Sequence, residues 1–187
     1  MGIIILKAND KKMNYLYKYY TPRNFDNIIL TSEGNILTGL YFEKAFPFDE
    51  DDFLKDKPEI FKETINFLDL YFKGINPGFI PIFVLPEMSN FRKSVIEILL
   101  TIPYGKVMTY KEIASLIAKK RKIKTMSSQA VGGAVGANPI SIIIPCHRVI
   151  GSHMNLTGYA GGIDNKYELL KIEGHAMAKF KMPKKGK

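Results

Sequence analysis

The chain carries the run Ile142-Ile143-Ile144-Pro145-Cys146-His147-Arg148-Val149-Ile150, which contains its only cysteine. The isoleucines before the proline are typical of a buried strand, and the polar residues after it predict the exit of that strand, where functional sites are often built. A thiol becomes a nucleophile as the thiolate, and a neighbouring imidazole or cation favours that form. Cys146 is therefore a candidate nucleophile, and the alternative is that it is a small buried hydrophobic residue.

The overall composition limits the classes of protein to which the chain can belong. With 187 residues, 46% of them hydrophobic, it has the size and core content of one globular domain or two small ones. No apolar stretch approaches the roughly 20 residues that span a bilayer, and the N-terminal apolar run is too short for a signal peptide. We expect a cytoplasmic protein, or a nuclear one if the organism is eukaryotic.

The cysteine and histidine content argues against a disulfide and against a metal site. One cysteine cannot form an intramolecular disulfide or a cysteine-based zinc cluster. The three histidines, His147, His153 and His175, lack the spacing of metal ligands. We therefore expect no structural metal.

Charge is unevenly distributed along the chain. Residues 1–90 contain 10 Lys and Arg against 13 Asp and Glu, a net of −3, whereas residues 91–187 contain 17 against 5, a net of +12. Such a contrast favours two modules, of which the basic one faces a polyanion such as nucleic acid or an anionic membrane surface. The alternative is that these lysines are solvated and serve only solubility.

The pattern of the first half predicts a small α/β domain that ends near residue 88. Its predicted elements are strands at 3–6, 28–31 and 36–42, a helix at 58–72 and an extended piece at 79–85. Gly34-Asn35 supplies the turn of a hairpin between the second and third strands. Pro58 suits the first turn of the helix.

The second half is predicted to be mostly helical. Ser89-Asn90 can cap one helix, and Thr109 to Glu112 has the capping-box pattern at the start of a second. After the basic run 119–124, Ser127-Ser128 can cap a third short helix, which forms a helix-turn-helix candidate with the second. We therefore predict a domain at 1–88, a domain at 89–176 and a basic tail at 177–187.

A series of spaced motifs lies between residues 104 and 174. They are, in order, Tyr104-Gly105-Lys106-Val107-Met108-Thr109-Tyr110, Ala130-Val131-Gly132-Gly133-Ala134, Asn138-Pro139, Ile144-Pro145-Cys146-His147-Arg148-Val149, Gly158-Tyr159-Ala160-Gly161-Gly162, and Lys166 to Glu173-Gly174. Together they resemble the signature of the O6-alkylguanine-DNA alkyltransferases, or methylated-DNA–protein-cysteine methyltransferases. The first half matches that family only in size and coarse pattern.

The resemblance implies an α/β fold of two domains. The first is a ribonuclease-H-like α/β domain, and the second is a mostly helical, winged-helix-like domain that contains the helix-turn-helix. The resemblance also implies DNA repair, in which an alkyl group, the methyl group foremost, moves irreversibly from O6 of a flipped guanine to Cys146. A monomer would do this once, without a cofactor, on double-stranded DNA of little sequence specificity.

The resemblance assigns roles to the residues around the cysteine. Cys146 is the nucleophile, His147 accepts the thiol proton through a water molecule, and Glu173 orients and charge-stabilises His147. Tyr110 donates a proton or a hydrogen bond to the leaving guanine, for which an acidic phenol is suited. Asn138 ties the helix-turn-helix to the cysteine loop through hydrogen bonds. From the residues alone, Tyr110 can also be a half-buried tyrosine and Asn138 a turn residue.

By the same resemblance, the second helix of the motif enters the minor groove, and a pocket receives the flipped base. The residues assigned to these two surfaces are Gln129, Ala130, Gly133, Ala134, Arg148, Val149, Tyr159, Ala160 and Gly161. Gln129 is the predicted wedge in the duplex, where the family commonly has an arginine, and Ala160 replaces a frequent serine. We expect Arg148 to hold local structure rather than touch the alkyl group.

The basic residues are predicted to hold the DNA. A protein that inspects guanines in any sequence relies on phosphate contacts, which carry no sequence information. The predicted contacts are the basic run 119–124 and the tail lysines Lys179, Lys181, Lys184, Lys185 and Lys187.

Two other classes of function remain open at this point. The first is a helix-turn-helix DNA-binding regulator in which Cys146 is silent. The second is a cysteine hydrolase that pairs Cys146 with His153 or His175, although the sequence around the cysteine carries no recognisable hydrolase signature.

Overall fold

A β-hairpin is the centre of the first sheet. A computed structural model describes residues 14–183 of the chain, and its strands β1 (Asn14–Tyr19), β2 (Ile28–Glu33) and β3 (Ile36–Phe42) pair antiparallel in the order β1-β2-β3. The turn between β2 and β3 places Gly34 at a φ of +53°, in the left-handed region that glycine enters without steric cost. The predicted hairpin is confirmed.

Strand β1 was not predicted, and the predicted strand at residues 3–6 lies outside the described residues. β1 reads Asn-Tyr-Leu-Tyr-Lys-Tyr, and within it only Leu16 is buried, so the alternation of apolar residues is weak. The strand pairs with β2 along its whole length, from Asn14 opposite Glu33 to Tyr19 opposite Ile28. β1 is therefore stabilised by its pairing with β2, and the propensities of its own residues do not predict that pairing.

Helix α1 (Glu59–Phe72) packs against β2 and β3. Its buried side chains lie at helical spacing and are Ile60, Phe61, Thr64, Phe67, Leu68 and Tyr71. The helix starts one residue later than predicted, because Pro58 is its N-cap residue. The side chain of Asn35, in the hairpin turn, accepts a hydrogen bond of 2.7 Å from the backbone N–H of Ile60, so the hairpin also caps the helix.

The described chain divides into two units, each with its own core. The first contains residues 14–88 and Pro139–Ile143, and the second contains Ser89–Asn138 and residues 144–183. The sequence-based division had placed 139–143 in the second domain. These residues belong to the first unit because Leu40, in β3, accepts a hydrogen bond of 2.8 Å from Ser141 N–H and donates one of 2.9 Å to the Pro139 carbonyl.

The second unit is mostly helical, as predicted. Its described elements are helices α2 (Asn90–Leu99), α3 (Tyr110–Arg121), α4 (Ser128–Gly136) and α5 (Ile163–Ile172), and the two parallel strands β4 (Met108–Thr109) and β5 (Val149–Ile150). Helices α2, α3 and α4 pack against one another, and α3 and α4 form the predicted helix-turn-helix pair. Among the described helices, none combines the length and apolar character needed to cross a membrane.

Side-chain caps fix where α2, α3 and α4 begin. Ser89 and Ser127 each accept a hydrogen bond of 3.3 Å from the backbone N–H three residues later, at the starts of α2 and α4. Thr109 Oγ1 accepts a bond of 3.1 Å from Glu112 N–H, and Glu112 Oε2 accepts one of 2.7 Å from Thr109 N–H. The three predicted caps are confirmed, including the capping box.

The predicted basic tail is in part a packed segment. Phe180 is 9% exposed and packs with Ile150, Leu156 and Leu170 in a small core of the second unit. The division at residue 177 is therefore wrong for residues 177–183, because Phe180 supplies apolar surface among the lysines. Residues 184–187, which include three of the five tail lysines, lie outside the described residues.

We expect replacement of Thr109 by alanine to lower the free energy of unfolding by about 1 kcal/mol, because the capping box loses its acceptor for Glu112 N–H. Thr109→Ser keeps that oxygen and serves as the control, with an expected change of a few tenths of a kcal/mol. Urea denaturation followed by circular dichroism measures both. Equal losses in the two variants would contradict the capping role.

Candidate active site

A tight turn presents the cysteine. Cys146, His147 and Arg148 form one turn of 3₁₀ helix, and Cys146 N–H donates to the Ile144 carbonyl at 2.7 Å. The predicted strand before Pro145 is wrong: residues 141–143 form a turn closed by a bond of 2.7 Å from Ile143 N–H to the Ser141 carbonyl. The isoleucines are buried as expected, but the chain reverses there instead of extending a sheet, and Ile142 adopts a φ of +66°.

Asn138 lies against the thiol. It follows α4 and is 6% exposed, and its side-chain Nδ2 donates to Cys146 Sγ at 3.0 Å and to the Ile144 carbonyl at 2.9 Å. A hydrogen bond to sulfur favours the thiolate over the thiol. Asn138 therefore connects the end of the helix-turn-helix to the cysteine turn by direct contacts.

A buried base stands beside the cysteine in the chain. His147 Nε2 and Glu173 Oε1 are 2.7 Å apart, and neither side chain is exposed to solvent. Because a carboxylate only accepts hydrogen bonds, Nε2 carries the proton and Nδ1 is the nitrogen with the basic lone pair. Glu173 also accepts a bond of 3.0 Å from the Gly105 backbone N–H.

Arg148 is turned toward Glu173. Its Nε lies 3.0 and 3.1 Å from the two carboxylate oxygens, and its Nη2 lies 3.0 Å from Oε1. Its Nη1 donates to the Ile102 carbonyl at 2.7 Å. Since the side chain is only 11% exposed, the assignment of Arg148 to the DNA surface and base pocket is wrong, whereas the expectation that it holds local structure agrees with these contacts.

Burial sets the protonation of these groups. It raises the pKa of Cys146, against the hydrogen bond from Asn138 and the charge of Lys166, and it lowers the pKa of His147, against the charge of Glu173. Burial alone would raise the pKa of Glu173, but His147 and Arg148 outweigh it and hold that pKa well below its usual range. Burial therefore disfavours the loss of the Cys146 proton, and the Asn138 hydrogen bond and the charge of Lys166 act in the opposite direction.

No role was predicted for a lysine that bonds to the residue after the cysteine turn. Lys166, in α5, is fully buried, and its Nζ donates to the carbonyls of Val149 at 2.5 Å and Thr157 at 2.8 Å. Burial lowers its pKa to about 8, against the charge of Cys146. One signal in the sequence was available, because Lys166 shares the apolar stripe of α5 with Leu169 and Leu170, where a lysine needs buried partners.

Tyr110 is the first residue of α3 and faces the loop after the cysteine turn. Its hydroxyl donates to the Gly158 carbonyl at 2.9 Å, with the Thr157 carbonyl at 3.2 Å. Burial, together with the charge of Cys146, raises its pKa to about 12. Of the two predicted roles of Tyr110, the raised pKa favours donation of a hydrogen bond over donation of a proton.

The residues assigned to the base pocket differ in exposure. Val149 is buried, and its carbonyl is the acceptor of the Lys166 bond. Gly161 is also buried and its carbonyl accepts a bond of 2.6 Å from Asn165 Nδ2, whereas Tyr159 is half-buried and Ala160 is exposed. These residues lie on the segment that Tyr110 and Lys166 contact.

Helix α4 presents a surface of small residues. Gln129, Ala130 and Gly133 are exposed, as their assignment to DNA binding requires. Ala134 is 6% exposed, and its assignment to that surface is wrong, because it belongs to the stripe through which α4 packs on α2 and α3. Within residues 14–183 no group of three or more His, Cys, Asp or Glu is arranged to hold a metal ion.

The pKa of Lys166 predicts a pH dependence of stability. Because the folded pKa of about 8 is below the ordinary 10.5, the unfolded chain binds more protons between these values, and stability due to Lys166 rises with pH. We expect the free energy of unfolding of the unmodified protein, relative to Lys166→Met, to rise by up to about 3 kcal/mol from pH 8 to 10.5. Urea titrations at several pH values measure this difference, and a constant difference would contradict the shift.

Comparison with known proteins identifies the family. The family model described as "6-O-methylguanine DNA methyltransferase, DNA binding domain" matches residues 90–175. The methylated-DNA–protein-cysteine methyltransferase of Haemophilus influenzae is 36% identical over 162 residues, which cover 86% of this chain and 88% of the relative. That of Methanosarcina barkeri is 47% identical over 134 residues, 65% of this chain and 81% of the relative.

Solved structures agree with the sequence relatives. The crystal structure of Mycobacterium tuberculosis O6-methylguanine methyltransferase superposes with a TM-score of 0.73 at 36% identity and covers 86% of this chain and 93% of that one. The structure of Mycobacterium tuberculosis OGT in complex with DNA gives a TM-score of 0.71 at 33% identity, with 90% and 94% covered. The chain belongs to the methylated-DNA–protein-cysteine methyltransferase family.

Proposed function

We propose that this protein repairs DNA by transferring an alkyl group, the methyl group foremost, from O6 of guanine in double-stranded DNA to Cys146. Two buried hydrogen bonds carry the proposal: Asn138 donates one to the thiol of Cys146, and Glu173 orients the imidazole of the adjacent His147. Membership of the family supports the substrate.

The transfer balances without a cofactor. The thiol proton passes through a water molecule to Nδ1 of His147, whose Nε2 proton remains on the bond to Glu173. Sγ of Cys146 then attacks the alkyl carbon, and the carbon–O6 bond breaks as the carbon–sulfur bond forms. The bonding electron pair leaves on guanine, which takes up one proton, so that the proton gained by the base balances the one that the thiol gave up to His147. The product is a thioether, and since the chain has no second cysteine, nothing in it regenerates the thiol.

Tyr110 is placed to serve the leaving base. In the resting site its hydroxyl donates to the carbonyl of Gly158. A bound guanine that offers a ring nitrogen in place of that carbonyl receives the same hydrogen bond, which strengthens as negative charge develops on the base. We assign the walls of this base pocket to Val149, Tyr159, Ala160 and Gly161, on the segments that Tyr110 and Lys166 contact.

The exposed face of α4 is proposed to meet the minor groove. Ala130 and Gly133 let the helix approach the sugar edges closely, and Gln129 takes the place of the extruded nucleotide. Glutamine fills that space and offers both donors and acceptors to the orphaned base, but it brings no positive charge.

The basic run divides into two groups with different tasks. Lys120 pairs with Glu97 at 2.6 Å, and the Arg121 guanidinium lies 5.4 Å from the ring centre of Phe91, so both support packing against α2. Lys119 instead lines an open groove of about 530 Å³ between α3 and the segment before α4, together with Lys111 and Lys124.

That groove suits DNA phosphates. Ser115, Thr125 and Ser128 add hydroxyl groups to its three lysines, and Ser128 directly precedes the exposed face of α4. Lysine and hydroxyl groups are the usual phosphate contacts of proteins that bind DNA without sequence preference. We therefore propose that the flanking phosphates of the bound duplex lie along this groove.

The proposal also covers the fold of each unit, the oligomeric state and the cellular location. We infer that the first unit is a ribonuclease-H-like domain, which its antiparallel strands with a packed helix support, and that the second is winged-helix-like. We propose that the protein acts as a monomer, because one chain carries all the protein groups of the site. We also propose that it acts in the cytoplasm.

Incubation with DNA that contains O6-methylguanine is expected to raise the intact mass by one methyl group per chain, because the thioether is not released. Electrospray mass spectrometry measures this, and Cys146→Ser, which keeps the shape but lacks the thiol, is the control with no adduct. Several demethylated guanines per chain without an adduct would refute the mechanism. An unchanged DNA-dependent activity in Cys146→Ser would favour the regulator in which the cysteine is silent.

The triple variant Lys111→Ala, Lys119→Ala and Lys124→Ala is expected to bind duplex DNA more weakly and with less dependence on salt. Each lost phosphate contact reduces the slope of log affinity against log salt by about 0.9. Fluorescence anisotropy over a range of salt concentrations measures the slope.

A matched triple variant, Lys44→Ala, Lys55→Ala and Lys62→Ala, removes the same charge from exposed lysines of the first unit. Its slope is expected to stay close to that of the unmodified protein. Equal slopes in the two triple variants would show that total charge, rather than the groove, determines binding.

A further inference from the structure

Arg148 joins three segments of the second unit at one carboxylate. Its guanidinium donates to the carboxylate of Glu173 from Nε and Nη2, at 3.0 to 3.1 Å, and to the Ile102 carbonyl after α2 from Nη1, at 2.7 Å. The ring of Tyr104 lies 5.7 Å from the guanidinium carbon. A side chain so fully engaged and 11% exposed acts inside the protein.

By itself, the charge of Glu173 favours the protonated form of His147, which cannot act as a base. A carboxylate 2.7 Å from His147 stabilises the imidazolium, and an imidazole that already holds two protons accepts no further proton from a thiol. The charged or titratable groups that face His147 are Glu173, Arg148 and Lys166, beside the thiol of Cys146. Arg148 is the cation that touches Glu173 directly.

We propose that Arg148 is a positioning residue for alkyl transfer: its guanidinium offsets the charge of Glu173 and fixes the carboxylate, so that Nδ1 of His147 stays ready to take the Cys146 proton. The inference rests on the proposed function and adds to it a group that touches neither DNA nor the alkyl group. Arginine suits the task because its planar fork matches a carboxylate and its charge is permanent.

The effect of the guanidinium on the proton balance has a definite sign. The reactive pair shares one proton between Cys146 and His147, and binding of a second proton gives a thiol beside an imidazolium, which does not react. A nearby cation repels that second proton, so its removal raises the pKa at which the pair becomes inactive, whichever group holds the shared proton. The effects on the pKa of His147 have the expected signs. Burial has the largest effect and lowers this pKa, Arg148 and Lys166 also lower it, and Glu173 raises it.

The test compares Arg148→Met with Arg148→Lys in single-turnover labelling by O6-benzylguanine, a free base that needs no DNA contacts. We expect the acid limb of the pH–rate profile to move up by at least about one pH unit in Arg148→Met, so that labelling falls most at low pH and recovers as pH rises. Arg148→Lys keeps the charge and holds the limb near its original position, with a lower plateau from the lost fork. If Arg148→Met does not fold, Arg148→Gln carries the same expected shift.

A second readout observes the resting protein without any reaction. The chain has three histidines, so their ring protons are resolved by NMR, and exposed His153 serves as the internal reference. We expect the titration of His147 to move to higher pH in Arg148→Met but not in Arg148→Lys, with His153 unchanged.

The outcomes separate this inference from the proposed function. A uniform loss of labelling at every pH, equal in the two variants and with no change in the His147 titration, would overturn the positioning role and leave a structural one. If the His147 titration shifts in Arg148→Met but the unmodified protein reacts with none of the O6-alkylguanine reagents, the role of Arg148 is supported and alkyl transfer is refuted.

Discussion

The buried carboxylate of Glu173 is the contact on which the second unit depends. A charge without solvent is costly unless donors surround it, and here the donors are His147, Arg148 and the backbone N–H of Gly105. They come from the cysteine turn and from the turn after α2, while Glu173 itself closes α5. Glu173 thereby sets the tautomer of His147 and joins three chain segments, so the proposed catalysis depends on the same hydrogen bonds that hold the second unit together.

Local signals in the sequence were sufficient for the helix starts and for the hairpin, because a cap or a tight turn is decided by residues within four positions of each other. The predictions failed where distant backbone decides. The isoleucines before Pro145 turn instead of extending, because the segment around Ser141 bonds to Leu40 in β3. Ala134 faces inward because α4 packs on two other helices. Periodicity identifies an apolar stripe only when its residues are large, and α4 has few such residues.

The candidate site shows the same contrast. Cys146, His147, Glu173 and Asn138 were predicted from spaced motifs, and the structure pairs Asn138 with Cys146 and His147 with Glu173. Lys166 was overlooked since a lysine in a helix reads as a solvated residue, and its role is visible only through the two carbonyls that it meets. Charge counts likewise located the basic half but did not reveal that Lys120 and Arg121 support helix packing while their neighbours line a groove.

The carbonyl of Thr157 is shared by two donors, the buried ammonium of Lys166 and the hydroxyl of Tyr110. Two hydrogen bonds therefore hold the loop that carries this carbonyl. One comes from Lys166, on the apolar face of α5, and the other from Tyr110, the first residue of α3. Lifting this loop to widen the proposed base pocket would break both bonds together. Under the proposed function, the fit of a larger lesion therefore depends on the hydrogen bonds of this carbonyl as well as on free volume.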